Sequence, residues 1–161
     1  MHLNLDCAEN GIDASLAQAV KTVSGGESQT VVNHTLSLGG YGRAYDIYSI
    51  TAKDLAKKLS KELSSERILV YNGEKEIKRV ASFCGAGGDE EGVAFALKQG
   101  ADAVISSDFR HHVIAMAVEA GLAVIVLTHY ASENYGFKKY YEKIIEQTSV
   151  SCEFYTDATL L

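Results

Sequence analysis

From residue 66 onward, apolar positions come in short unbroken runs rather than in alternation. ILVY (68–71), IKRVASFC (77–84), ADAVISS (101–107) and AVIVLT (123–128) read as strands, separated by Asn72-Gly73 and by glycines at 85–88, 100 and 121. DEEGVAFALKQ and RHHVIAMAVEA carry apolar residues at helical spacing and stop at Gly100 and Gly121; the first opens with acids that suit a helix N-terminus. ENYGFKKYYEKIIEQ predicts a final helix, and SVSCEFYTD is a candidate last strand. A strand that is apolar throughout must be covered on both faces. Strand–helix–strand–helix–strand therefore predicts parallel strands with right-handed crossovers.

The first 65 residues are less regular. IDASLAQAVKTV has the stripe of an amphipathic helix, and TLSLGGYGRAYDIYSI predicts one or two strands around a glycine turn. Thr51 with Asp54 resembles a capping box opening TAKDLAKKLSKEL. As an extended segment, HLNLD would turn His2, Asn4 and Asp6 to one side and Leu3 and Leu5 to the other. With no repeat, low-complexity segment or linker, the expected fold is α/β: a single layered domain over 1–161 with a mainly parallel sheet flanked by helices.

Composition narrows the partners. At 161 residues and 47% hydrophobic, the chain can bury one core. A net charge of −6 with no Lys/Arg run argues against a phosphate-tracking groove and so against direct nucleic-acid binding. No apolar run approaches the roughly 18 residues of a membrane span, and the N-terminus lacks an export pattern. Three scattered cysteines, Cys7, Cys84 and Cys152, fit reduced thiols, so a cytoplasmic protein is expected.

Ligands of open α/β sheets gather beyond the carboxyl ends of the strands. Three strands deliver polar groups there: Cys84 with GAGG, Ser106-Ser107-Asp108, and Thr128-His129 with Glu133 following. GAGG lacks a GK[ST] continuation, and acids fill the helix start after it. It reads as a tight turn or as a close approach to a neutral or metal-bound ligand. Asp108 has the position of a helix cap. His111 and His112 diverge by roughly 100° on a helix, so they cannot easily share one ion; His112 is the better candidate to face the cleft. His129 and Glu133 either share a helix face at i and i+4, or His129 ends the strand and Glu133 opens a helix capped by Ser132. Such nitrogen and oxygen donors suit Zn, Fe, Mn or Ni better than Ca.

In order along the chain, HLNLD, GYGR, FCGAGG, DAVISSDFRHH and THYASE resemble the HTNLD, GIGR, CGGSG, DxxITGDxxYH and GHYxSE segments of the NGG-interacting-factor family. Bacterial members of that family carry the label GTP cyclohydrolase 1 type 2 homologue. The resemblance implies ring-shaped homo-oligomers and a dinuclear metal site. Its ligands include the residues matching Asp6, His129 and Glu133, with His2 close to the metals and Asp108 and His112 matching a further Asp and His. The family's remaining two ligands, an adjacent His pair upstream of HTNLD, have no counterpart among these residues. The chain is accordingly expected to be the C-terminal two-thirds of a longer family member, or else a shortened relative with a damaged site, with donors for one ion. ISSD also replaces ITGD, and THY replaces GHY.

The resemblance implies a divalent-metal-binding protein acting as a metal-dependent hydrolase on a small-molecule or nucleotide ligand. Asp6, His129 and Glu133 would be ligands, and His2 or His112 the proton-transfer group. The alternative is a non-catalytic assembly or partner-binding module with an incomplete site. Tyrosine-rich segments such as GYGRAYDIYSI add to the expectation of self-association.

Overall fold

A computed structural model describes residues 2–26 and 29–161. In chain order the elements are α1 (Leu3–Asp6), α2 (Ile12–Ser24), β1 (Val31–Leu36), β2 (Gly39–Thr51), α3 (Ala52–Glu62), β3 (Leu69–Tyr71), β4 (Glu76–Ser82), α4 (Glu90–Lys98), β5 (Ala103–Ser106), α5 (His111–Glu119), β6 (Ala123–Val126) and α6 (His129–Ile145). They build one six-stranded sheet in the order β1-β2-β4-β5-β6-β3.

The sheet is mixed. Its β4-β5-β6 centre is parallel, as the unbroken apolar runs predict, while β2 joins β4, β1 joins β2 and β3 joins β6 antiparallel. Ala103 and Ile105 of β5 face a cluster with Leu16, Val20, Leu55 and Leu59 from α2 and α3, and Val104 faces Val93, Phe95, Val113 and Ala117 from α4 and α5. Both faces are buried, so no polar alternation survives. Burying each such Leu, Ile, Val or Phe contributes about 1.5–3 kcal/mol. An exposed ion pair such as Lys53–Glu74 contributes about 0–1 kcal/mol, so the two apolar clusters hold the fold.

The starts of α3 and α4 follow the sequence, while α6 opens at His129, before the expected ENYGF start, with Thr128 rather than Ser132 as its cap. The Thr51 hydroxyl accepts the Asp54 N–H at 3.2 Å, Asp89 accepts the Gly92 N–H at 2.8 Å, and Thr128 accepts the Ala131 N–H at 3.0 Å. Helix α6 lies across α2 at Gly136, where a Cβ would meet the Ile12 Cα at 2.9 Å.

Two segments depart from expectation. HLNLD is a single helical turn: the Asp6 and Cys7 amides bond back to the His2 and Leu3 carbonyls. His2 and Asp6 still share a face, now by helical i, i+4 spacing, and Asn4 turns its side chain to the His2 amide at 3.0 Å. SVSCEFYTD forms no strand. It runs along α6, with the Phe154 ring packed at a tilt against Phe137 and Tyr141, the Tyr141 hydroxyl donating to the Cys152 carbonyl, and the Asp157 amide donating to the Tyr130 hydroxyl. Those backbone groups are met by side chains, which leaves no ladder to build. Among the described residues, no helix is long and apolar enough to cross a membrane.

Candidate functional site

The three parallel strands end side by side, and serines stitch their ends together. The Gly85 carbonyl accepts the Ser106 hydroxyl at 3.2 Å and the Ser107 hydroxyl at 2.5 Å, while the Gly85 amide donates to the Ser132 hydroxyl at 2.8 Å. Ser106, Ser107 and Ser132 are fully buried, so these bonds fix the loops in a low-dielectric setting.

On this frame His129 and Glu133 take the shared-face geometry. Helix α6 begins at His129 with Thr128 as its cap, and His129 Nε2 lies 3.1 Å from Glu133 Oε1. The other ring nitrogen, Nδ1, is 2.5 Å from Asp108 Oδ2. Asp108 is therefore no helix cap: α5 is capped by Arg110 without a side-chain bond, and Asp108 adopts a left-handed φ of 55° that turns its carboxylate to His129. Burial pushes the His129 imidazole down, but the Asp108 hydrogen bond and the charges of Glu133 and Asp108 outweigh it and hold the ring above its usual value.

Asp6 reaches the same place from α1. A carboxylate oxygen of Asp6, one of Glu133 and the Cys84 Sγ all lie within 4.8 Å of one another. Burial raises both carboxyl groups above their ordinary values, against the opposing pull of His2 and His129 on Asp6, and of His129 on Glu133. Gly85 completes the wall at φ 56°; a Cβ there would sit 2.5 Å from Glu133 Oε1. The glycine loop is thus a tight turn that also lets the backbone pass close to the donors.

His2 stands at the rim, its Nε2 3.8 Å from Asp6 Oδ2 and its side chain 78% exposed. His112 is engaged elsewhere, 2.8 Å from Glu90 between exposed faces of α4 and α5. A cleft of about 460 Å³ opens beside the cluster, walled by His2, Leu5, Tyr130, Phe137 and Tyr155. A wider groove of about 880 Å³ between α2, the β1–β2 hairpin and α6 carries charges of both signs, from Lys21 and Lys139 to Glu9 and Glu142.

Two features escape sequence reasoning. One is Cys84 as a member of the donor cluster. The other is Asp13, fully buried on the apolar face of α2 and paired with buried Arg43. Asp13 also accepts the Gly42 and Cys84 amides at 3.0 Å each. Burial pushes its carboxyl up to about 6, against the Arg43 charge and the two amides. One carboxylate thus fastens α2 to β2 and to the end of β4. An acid within the Ile12, Leu16, Ala19 and Val20 stripe and the Arg of GYGR were its available signals.

Fold and site together define an open α/β domain with an imidazole–carboxylate–thiol cluster beyond the carboxyl ends of its parallel strands. The family model DUF34/NIF3 (NGG1p interacting factor 3) matches residues 1–159, and the chain belongs to this family. It is 29% identical over 154 residues to the GTP cyclohydrolase 1 type 2 homolog of Haemophilus influenzae, covering 95% of this chain and 59% of that protein. It is 28% identical over 142 residues to the homolog of the same name from Methanocaldococcus jannaschii, covering 88% and 54%. The chain thus spans little more than half the length of these curated relatives. Among solved structures, reduced HcgD from Methanocaldococcus jannaschii superposes with a TM-score of 0.71 at 23% identity, covering 92% of this chain and 56% of that one. A Bacillus cereus protein related to NIF3 gives 0.69 at 14% identity, covering 97% and 71%. At those identities the structures speak for the fold.

Proposed function

We propose that this chain binds one divalent metal ion through Asp6, His129 and Glu133, and that the site serves hydrolytic chemistry of the kind the relatives' name, GTP cyclohydrolase 1 type 2, denotes. The observation that carries the reading is convergence: donors from α1 and α6, far apart in sequence, meet at the ligand-binding edge of the sheet. The donors fit a borderline ion such as Zn, Fe, Mn or Ni. Asp108 has the role of a carboxylate that orients a ligating imidazole through its far nitrogen.

When bound, such an ion supplies Lewis acidity and makes hydroxide available near neutral pH. The chain's own residues do the rest. His2, exposed at the mouth, is placed to pass protons between the site and bulk water. His112, held by Glu90, is the weaker candidate for that role. Tyr130, Phe137 and Tyr155 offer flat apolar walls to a small molecule in the adjoining cleft.

The second reading, a non-catalytic module, is favoured by the count of donors. Among the described residues the cluster includes one imidazole, enough for a single ion and not for a pair. Elemental analysis should find less than one ion per chain as purified, and titration with zinc or manganese should saturate at one. Under this second reading chromatography detects negligible ring-opened GTP, whereas the hydrolytic reading requires ring-opened product that depends on the added ion. Two tightly held ions with robust turnover would overturn the single-ion reading, and failure to bind any ion would overturn metal binding itself.

We also propose self-association. Leu36, Leu38 and Tyr48 are exposed on the β1–β2 hairpin, the last two by 80% and 70%. Light scattering should report at least a dimer across the micromolar range; a monomer mass throughout would sink the idea.

A further inference from the structure

We propose that Cys84 is a thiolate ligand of the same ion and makes the site selective for thiophilic metals, such as zinc, ferrous iron or cobalt, over magnesium or manganese. This rests on the metal-binding reading above and adds a donor to it. The Cys84 Sγ shares a 4.8 Å neighbourhood with carboxylate oxygens of Asp6 and Glu133, yet the residue is only 2% exposed. Its backbone is committed on both sides: the amide donates to Asp13 Oδ1 at 3.0 Å, and the carbonyl accepts the Tyr41 hydroxyl at 2.5 Å. Among the described residues, no hydrogen bond reaches the Sγ. A buried, polarizable atom is therefore fixed in place and aimed at two acids, without a partner of its own.

The electrostatics favour a cation between these groups. Burial first, and after it the charges of Asp13, Asp6 and Glu133, push the Cys84 thiol up, and burial does the same to the Asp6 and Glu133 carboxyl groups. A divalent ion reverses that balance, since a coordinating thiol is deprotonated outright. The sulfur–metal bond forms as the S–H bond breaks, the thiol proton leaves to water, and no oxidant or reductant is needed.

Distances are compatible. With metal–sulfur bonds near 2.3 Å and metal–oxygen or metal–nitrogen bonds of about 2.0–2.2 Å, tetrahedral donors stand roughly 3.3–3.7 Å apart. His129 Nε2 and Glu133 Oε1 are already at 3.1 Å, and within the Asp6, Cys84 and Glu133 group each pair needs to close by about 1–1.5 Å at most. Two carboxylates and one imidazole alone would favour zinc over manganese only by the general order of affinity. A thiolate shifts the preference to the softer ions.

The test uses cobalt(II) added to the metal-stripped full chain. An intense thiolate-to-cobalt charge-transfer band should appear in the near ultraviolet and persist in the Cys7→Ser/Cys152→Ser double variant. It should vanish in Cys84→Ser and Cys84→Ala, while the weaker visible bands of bound cobalt remain. Zinc affinity should fall at least about 10-fold in those variants, with manganese little changed. Cobalt bound without the band in the unaltered chain, or a band that survives Cys84→Ser, would overturn the thiolate and leave the carboxylate–imidazole site standing. Absence of cobalt and zinc binding altogether would overturn both readings. Because the double variant leaves Cys84 untouched, its spectrum decides the matter even if the Cys84 variants fold poorly.

Discussion

Asp13→Ala is expected to cost about 3–5 kcal/mol of stability, the range for removing one partner of a buried ion pair. Arg43, 6% exposed, would be left as a buried charge without its carboxylate, and the Gly42 and Cys84 amides would lose their acceptor. Domains of this kind are stable by about 5–15 kcal/mol, so the loss is a large share of the whole. Urea or thermal melts measure it directly. Replacing both partners, as Asp13→Leu with Arg43→Met, should recover much of the loss because no charge is then stranded. A loss below about 1 kcal/mol in the single variant would show that water reaches Arg43 and that the pair is not structural.

His129→Ala and Glu133→Ala should each weaken metal binding by more than about 100-fold, beyond the 10–100-fold that a lost supporting contact costs. Asp108→Asn should fall within that supporting range, because it removes the group that orients the ring and spares the ligating nitrogen. Calorimetric titration with zinc orders the three. The pH dependence follows from His129, whose ring is held above its usual value: a proton on Nε2 competes with the ion, so affinity falls as the pH drops through that raised value. In the ion-free protein the sign is opposite. The stabilisation His129 gains from Asp108 and Glu133 is fully present below the ring's ordinary pKa and is lost as the pH rises through the raised one. Equal zinc affinity in all three variants would remove these residues from the site.

The central sheet was legible because its signals are local. Continuous apolar runs in β5 and β6, and capping residues at Thr51 and Asp89, state their structure within a few residues. The antiparallel flanks were not, because pairing partners such as β3 with β6 are decided by long-range contacts that no short window contains. HLNLD reads equally well at periods of two and of nearly four, since both put His2 beside Asp6; the amide bonds back to His2 and Leu3 choose the helix. Of the cluster, His129 and Glu133 are visible as a pair at i, i+4. Cys84 and Asp13 are not, because a thiol at the end of a strand and an acid in a helix stripe acquire meaning only when three separate elements meet.

The cluster has an order of appearance. Asp6, Cys84 and the His129–Glu133 pair come from three stretches, each more than forty residues from the next. At a synthesis rate of about 5–20 residues per second, roughly 6–25 s pass between the making of Asp6 and the making of α6. Through that interval Asp6 has neither His129 nor Glu133 beside it. Loading must wait for folding, because Asp6 meets its partners only once the much later α6 has been made.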